Sequence, residues 1–327
     1  MKILFIGGTG IISSACAPLA LERGHEVHLM VRGITSDVRP PAPGARILHA
    51  DVRNADQARA ALGDEHYDAV VDFVAFTPDH IGSDLDLFRH RTEQFVFISS
   101  ASAYHKPVRH LPITESTPLH NPFWQYSRNK AACEELLFAE YTARGFPMTI
   151  VRPSHTYDKT LLPFTSGGTV FKRILADKPV IVHGDGTSLW TLTHHRDFAV
   201  GLVGLLGNPK AIGEAFHITS DESIPWNEIF LGMGRAVGKT PNLVHVPSDV
   251  IAQANSEWGD GLLGDKAHSV IFDNSKIKAV VPDFDPTISF HEGAREIAAF
   301  HLGHPDFAPL DPERDALIER LIERISG

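Results

Sequence analysis

The sequence predicts an α/β fold: a doubly wound parallel sheet with a smaller carboxyl-terminal domain. Three observations carry that reading. Short apolar strands alternate with helical stretches through the first half of the 327 residues, the pattern of parallel βαβ units. A glycine-rich turn, Gly7-Gly8-Thr9-Gly10, follows the first strand and opens the first helix. Beyond Pro153 the alternation loosens, and proline and glycine become frequent.

Taken in order, residues 2–6 read as a strand, and 11–22 as a helix closed by Gly24. Residues 26–31 and 45–50 are the second and third strands, 55–62 a helix, and 69–75 and 95–99 the next two strands. Tyr126 begins a helix that continues through 131–144 to Gly145, and 148–151 is a further strand. The tail, 312–326, reads as one amphipathic helix. Residues 1–155, with about 180–220 returning to them, are expected to form one domain. Residues 156–179 and 221–327 would form a cap packed closely on it, since no long linker or low-complexity tract intervenes.

Composition narrows the function. Apolar residues make up 43% and charged residues 21%, a globular balance. Lys plus Arg is 30 against 40 Asp plus Glu, a formal charge of −10. Such a chain lacks the basic footprint of a nucleic-acid binder. No apolar run approaches the ~18 residues of a membrane helix. Only four apolar residues, Ile3 to Ile6, precede the glycine turn, too few for a secretory signal, so the start reads as mature protein. Two cysteines, Cys16 and Cys133, are too few for a disulfide framework. A cytoplasmic protein is expected, and a homodimer is left open. Nineteen histidines do not make a metal site: adjacent His194 and His195 would point apart on a strand, and no metal is expected.

The glycine turn is the first functional signal. Gly7 permits the tight turn, Gly10 allows a pyrophosphate to approach the backbone before Ile11 and Ile12, and small Ser13 packs helix on strand. This is the phosphate-binding corner of a Rossmann dinucleotide fold, with a helix N-terminus facing the phosphates. An NAD-selective site places an acid at the end of the second strand. Here Val31-Arg32 stands there, and an unpaired guanidinium suits the 2′-phosphate of NADP. Asp51-Val52 would meet the adenine edge, and small Ala75 would stand where the cofactor passes.

The second signal is Tyr126-Ser127-Arg128-Asn129-Lys130. Tyr126 and Lys130 are four apart and share a helix face. A phenol used near neutrality needs its pKa lowered by ~3, about 4 kcal/mol. An ammonium ~4 Å away at an effective dielectric near 20 supplies about that much. Ser100, at the end of the 95–99 strand, could hold a substrate oxygen beside the tyrosine; Ser99 reads more simply as a strand cap.

These segments resemble the extended short-chain dehydrogenases/reductases of the NAD-dependent epimerase/dehydratase family. Gly7 to Ser13, Phe97-Ile98-Ser99-Ser100-Ala101-Ser102-Ala103-Tyr104, Tyr126 to Lys130, Val151-Arg152-Pro153, His183-Gly184-Asp185-Gly186, Thr193-His194 with Asp197, and Phe272-Asp273-Asn274-Ser275-Lys276 run in family order. The resemblance implies Ser100, Tyr126 and Lys130 as the catalytic set, with Lys130 also holding the nicotinamide ribose. It implies NAD(P), with NAD the family default and Arg32 leaning to NADP. It also implies a cap beyond Pro153 that selects the substrate.

Departures from the family pattern sharpen this. Dehydratases carry an Asp-Glu pair where this chain has Ala101 and Ser102, so 4,6-dehydration is disfavoured. Nucleotide-sugar enzymes place an arginine four residues after the Gly-Asp-Gly turn; Trp190 stands there. Trp190 could stack on a sugar or flat ring, and Arg196, Arg173 or Lys172 could compensate for the missing arginine. Ser102 and His155 are expected in the same cleft. The reading is an NAD(P)-dependent epimerase-type oxidoreductase on a sugar, nucleotide sugar or sugar-like alcohol. The alternatives are an NADPH-dependent reductase or dehydrogenase of a small carbonyl or alcohol, and a non-catalytic NAD(P)-binding regulator of the kind represented by RNA-associated chloroplast relatives.

Overall fold

The computed structural model describes residues 1–33 and 38–326. Strand β1 (Lys2–Ile6) shows how the sheet is made. Ile3 and Phe5 enter one apolar layer, Leu4 and Ile6 the other, and all four are at most 1% exposed. A strand buried on both faces reads as a continuous apolar run, as parallel sheets require. With β1, strands β2 (Glu26–Val31), β3 (Arg46–His49), β4 (Ala69–Asp72), β5 (Phe95–Ile98), β6 (Met148–Pro153) and a last strand, Ala215–Ile218, form a seven-stranded sheet. Its order is Ala215–Ile218, β6, β5, β4, β1, β2, β3. Every neighbouring pair is parallel.

Helices cover both faces. Helix α1 (Cys16–Glu22) and the helix His195–Leu205 pack on one side. Helices α2 (Ala55–Leu62), α3 (Pro78–Phe88) and α4 (Gln125–Arg144) pack on the other. The predicted doubly wound α/β sheet is the observed one. Its order reverses between β1 and β4, and such a switch point opens a crevice at the strands' carboxyl ends.

The differences from the predicted elements have local causes. The strands expected at 45–50, 69–75 and 95–99 are Arg46–His49, Ala69–Asp72 and Phe95–Ile98. After β4 the Asp72 carboxylate takes the N–H of Val74 at 2.5 Å and turns the chain out of the sheet. After β5 the Ser100 hydroxyl takes the N–H of Ser102 at 3.2 Å and starts a short helical turn. The helix expected over 11–22 is a 3₁₀ turn, Ser13–Ala15, followed by α1. Ser13 Oγ donates to Gly7 O at 2.7 Å and so ties that turn back to the glycine corner. Helix α3, begun by Pro78, had no counterpart in the sequence reading. Helix α4 ends at Gly145 with φ +67, a conformation that suits glycine.

A buried ion pair seats α4 on the sheet. Arg152 of β6 and Glu134 of α4 are 4% and 1% exposed. The guanidinium meets the carboxylate through Nε at 3.1 Å and Nη2 at 2.6 Å. Ser99 Oγ donates to the same carboxylate.

The remaining chain builds a second core around Tyr157, Trp190, Trp226 and Phe290. Three short strand pairs frame it: His155–Tyr157 with Leu192–His194, Leu189–Trp190 with Ile224–Pro225, and Val180–His183 with Leu243–Val246. The tail helix Pro312–Ser326 is the predicted one. The fully buried Arg173 binds its Asp315 and Glu319.

The pair under α4 makes a stability prediction. Glu134→Ala leaves the Arg152 charge buried without a carboxylate, a change that costs about 3–5 kcal/mol in comparable pairs. A denaturant titration checks it; a loss within about 0.5 kcal/mol, the range of neutral surface changes, would remove the pair from this role.

Candidate functional site

A groove runs along the carboxyl edge of the sheet, over the switch point. One part, about 420 Å³, is lined by Gly7, Gly10, Arg32, Asp51, Val52 and Phe76 among others. The adjoining part, about 380 Å³, shares Gly7, Gly10, Val74 and Phe76 and reaches Ile11, Ile12, Ser100, Tyr126 and Lys130. A third cavity, about 220 Å³, shares Ser100 and Tyr126 with the groove and extends under the second core.

The glycine corner is shaped for close approach. Gly7 has φ +81, and a Cβ there would lie 2.6 Å from Val74 Cγ1. The Gly10 N–H is used inside the turn, on Ser13 Oγ at 2.8 Å. Arg32 is exposed on the groove rim and makes no ion pair among the described residues. Asp51 lies in the groove, where its carboxylate takes the N–H of Arg53 at 2.9 Å. Ala75 departs from expectation. It is fully buried and contributes its carbonyl, whereas the side chains of Val74 and Phe76 line the groove.

Arg53 was not anticipated, although it directly follows Asp51-Val52. Its guanidinium spans Asp84 at 2.9 Å and Asp72 at 2.5 Å beneath the groove. Burial first, then the neighbouring Asp72, pushes the Asp84 carboxyl well above the usual range.

Tyr126 and Lys130 share one face of α4, as the spacing predicted, but the electrostatics are reversed. Lys130 is 1% exposed, and its ammonium donates to Ala75 O and Ile98 O, both at 2.7 Å. Its Nζ lies 5.8 Å from the Tyr126 ring centroid, farther than from the rings of Phe76 and Phe97 at 4.7 and 4.8 Å. Burial lowers the Lys130 pKa to about 8. Burial likewise raises the Tyr126 phenol above its ordinary value, against the pull of a hydrogen bond with Ser100. The expected lysine-lowered phenol is therefore corrected: burial raises it, and the Lys130 ammonium, carried by its long stem to the carbonyls at the sheet edge, does not act to lower it.

Ser100 Oγ is hydrogen-bonded to Ser102 Oγ at 2.9 Å, and buried Ser127 Oγ donates to Ser102 at 2.8 Å. Hydroxyls thus run from Ser127 to the phenol. In the third cavity Ser102, His155 and Trp190 all line the wall, as the sequence placed them. Arg196 does not. It is exposed and bonded to Glu296 at 2.6 Å. Arg173 is taken by the tail helix and Lys172 by the carbonyl of Pro305. The lining groups that sequence reasoning missed are Trp124, Asp265 and Lys266. Trp124 stands two residues before Tyr126 and could have been suspected. Asp265-Lys266 carries no motif and is recruited by folding.

His194 and His195 do not sit on one strand. His194 ends a strand and meets Glu296, while His195 begins a helix and shares a hydrogen bond with Ser14 at 3.0 Å. Among the described residues no group of three or more His, Cys, Asp or Glu is placed to hold a metal, and no helix is long and apolar enough to cross a membrane.

A parallel sheet with a glycine corner at its switch point and a Tyr-x-x-x-Lys helix beside it defines a dinucleotide-fold protein. The chain belongs to the NAD dependent epimerase/dehydratase family, whose sequence profile matches residues 3–219. It is 27% identical over 260 residues to chloroplast stem-loop binding protein of 41 kDa b from Arabidopsis thaliana, an alignment covering 75% of this chain and 65%, just under two thirds, of that protein. It is 25% identical to 2′-dehydrokanamycin reductase from Streptomyces kanamyceticus over 87% of this chain and 80% of that one. UDP-glucose 4-epimerase from Lactobacillus helveticus is 29% identical over 46% of this chain and 51% of its own. In fold, the chain is similar to the epimerase Mth375 from Methanothermobacter thermautotrophicus, with TM-score 0.78 at 17% identity over 94% of each chain. It is also similar to UDP-glucose 4-epimerase of Thermus thermophilus, solved in complex with NAD, with TM-score 0.74 at 21% identity over 93% of this chain and all of that one.

The Lys130 geometry makes a pH prediction. With a folded pKa near 8 against 10.5 for the free group, the folded chain loses this proton first. Between those values the unfolded chain binds more protons, so stability rises with pH. Wild type should gain on the order of 3 kcal/mol on Lys130→Met across that window, read by paired denaturant titrations. A constant difference between the two proteins would mean that Lys130 titrates normally.

Proposed function

We propose that this chain is an NAD(P)-dependent oxidoreductase that reduces a carbonyl on a single sugar-sized ring. The observation that carries the reading is the continuity of the groove. It leads from Arg32 and Asp51, across the glycine corner, to Tyr126, Lys130 and Ser100, and there meets the third cavity. Gly7, Gly10, Ile11 and Ile12 would border the pyrophosphate, Asp51 and Val52 the adenine, Arg32 a 2′-phosphate, and Lys130 the nicotinamide ribose. The nicotinamide, when bound, supplies or takes the hydride.

The protein's own part is positioning and proton transfer. Ser100 Oγ orients the substrate oxygen toward the phenol. Tyr126 Oη, held above its ordinary pKa by burial, is protonated at neutral pH and gives its proton to that oxygen as the carbonyl is reduced. Ser102 and Ser127 continue the hydroxyl chain behind Ser100. An acid suits reduction, whereas oxidation would call for the phenolate.

Two further observations favour net reduction over epimerisation of a nucleotide sugar. The cavity of about 220 Å³ is below the roughly 300–1,000 Å³ of pockets for larger ligands, and among the described residues no arginine lines it. The relative that aligns over 87% of this chain is a reductase by name, whereas the L. helveticus epimerase aligns over 46%. Epimerisation remains the second reading, supported by the likeness in fold to UDP-glucose 4-epimerase. NAD(H) retained through purification would favour it; an enzyme that exchanges NADPH at each turnover supports reduction. The formal charge of −10 weighs against nucleic-acid binding of the kind that names the Arabidopsis relative.

Tyr126→Phe should keep cofactor binding and lose about 10²–10⁴ in turnover, the usual worth of a positioned acid–base group. Full activity in that variant discards the mechanism. Arg32→Ala should weaken NADPH by about 1.5–3 kcal/mol, the scale of a charged hydrogen bond, and spare NADH. Equal losses by titration would make Arg32 a rim charge only.

A further inference from the structure

Two residues that line the cavity beside Tyr126 carry buried polar atoms with no partner among the described residues. Trp190 is 3% exposed, and its Nε1 donor has no hydrogen-bond partner among the described residues; the same is true of His155 Nε2. Buried polar atoms are nearly always paired, so two unpaired ones, both in residues that line the cavity, point to a ligand as their missing partner. Lys266 lines the same cavity. Its ammonium is 5.7 Å from the Trp124 ring centroid and 5.8 Å from that of Trp190. It makes no ion pair among the described residues.

The lysine is held from its backbone. Its carbonyl accepts from His183 Nε2 at 2.9 Å, Trp226 Nε1 at 3.1 Å and Ser188 Oγ at 3.2 Å. It ends a π-helical turn, Leu262–Lys266, a local form often found at functional sites. Asn121 Nδ2 ties that turn to the catalytic loop, donating to Gly264 O at 2.6 Å and to Ser102 O at 2.8 Å. One carboxylate, Asp265, also lines the cavity, but it lies 3.3 Å from the buried ammonium of Lys106. Burial lowers the His155 pKa to about 3, so its ring is neutral and Nε2 serves an anion as an N–H donor. Lys106, Asp265 and Lys266 then carry a formal charge of +1 here, in a chain whose formal charge is −10.

We propose that Lys266, with Trp190 Nε1 and His155 Nε2, forms an anion subsite that binds a carboxylate or phosphate carried by the sugar-sized substrate. The subsite rests on reading this cavity as the substrate site, and it names the substrate class: an acidic sugar or sugar-like ring. A charged acceptor is favoured over a hydroxyl because hydrogen bonds between opposite charges are the stronger ones, and a half-buried ammonium needs such a partner. The anion also gives the ring one orientation, with the reacting oxygen toward Ser100 and Tyr126.

Tryptophan fluorescence reads this directly, since two indoles flank the ammonium. Glucuronate, glucose 6-phosphate and glucose are the probes, titrated into the full chain with and without NADPH. At least one acidic sugar should saturate at a concentration tenfold or more below that of glucose, and which one does so separates carboxylate from phosphate. Lys266→Met should abolish the preference, Lys266→Arg should restore most of it, and Trp190→Phe should weaken it. Glucose binding as tightly as both acids, no saturable change with either acid, or a preference kept in Lys266→Met overturns the subsite. Tyr126→Phe separates this result from the catalytic reading. An acid preference that depends on Lys266, together with full turnover in Tyr126→Phe, supports the subsite and discards the acid–base role. Turnover lost in Tyr126→Phe, together with a preference indifferent to Lys266, does the reverse.

Discussion

The buried pairing of Glu134 with Arg152 is the constraint on which the candidate site depends. Helix α4 carries Tyr126 and Lys130, and its place on the sheet decides whether they reach the groove. A buried ion pair is weak evidence of net stability, because desolvation offsets much of its attraction. Its directionality is another matter. A fork of N–H donors on one carboxylate, with Ser99 completing the set, gives α4 one seat on β5 and β6. Lys130 can then span from the helix to the carbonyls after β4 and at the end of β5.

The same close packing sets the electrostatics. Excluding water from the groove floor penalises both charged forms, the phenolate and the ammonium, and the two pKa values move in opposite directions from their ordinary values. A tyrosine–lysine pair considered alone suggests mutual stabilisation of opposite charges. In the folded chain carbonyls answer the lysine instead, and the phenol faces Ser100. A phenol held above its ordinary pKa beside a hydroxyl chain is the outcome.

The third cavity is built on a different principle. The second core supplies rigid aromatic walls, Trp124 and Trp190, and a main-chain anchor for Lys266. The arginines of the region serve elsewhere: Arg173 fastens the tail helix and Arg196 pairs with Glu296 at the surface. The polar lining of the cavity therefore comes from Lys266 and Asp265, the hydroxyls of Ser100, Ser102 and Tyr126, and the rings of Trp190 and His155.

Local pattern determined much of this protein. The apolar runs, the positions of Gly7 and Gly145 and the four-residue step from Tyr126 to Lys130 each act within a few residues, where backbone stereochemistry and side-chain periodicity decide. The fold class, the glycine corner and the shared face of α4 were legible for that reason. The tertiary structure decided what depends on desolvation and on partners distant in sequence. It turned Ala75 inward, drew Arg196 and Arg173 away from the cleft and raised the phenol it had been expected to acidify. It also brought the Lys266 ammonium to 5.8 Å from the Trp190 ring, across a long stretch of chain. No sequence spacing encodes which carbonyl a buried ammonium will find. That is settled only when the two cores close and each charge must take the nearest acceptor that water no longer supplies.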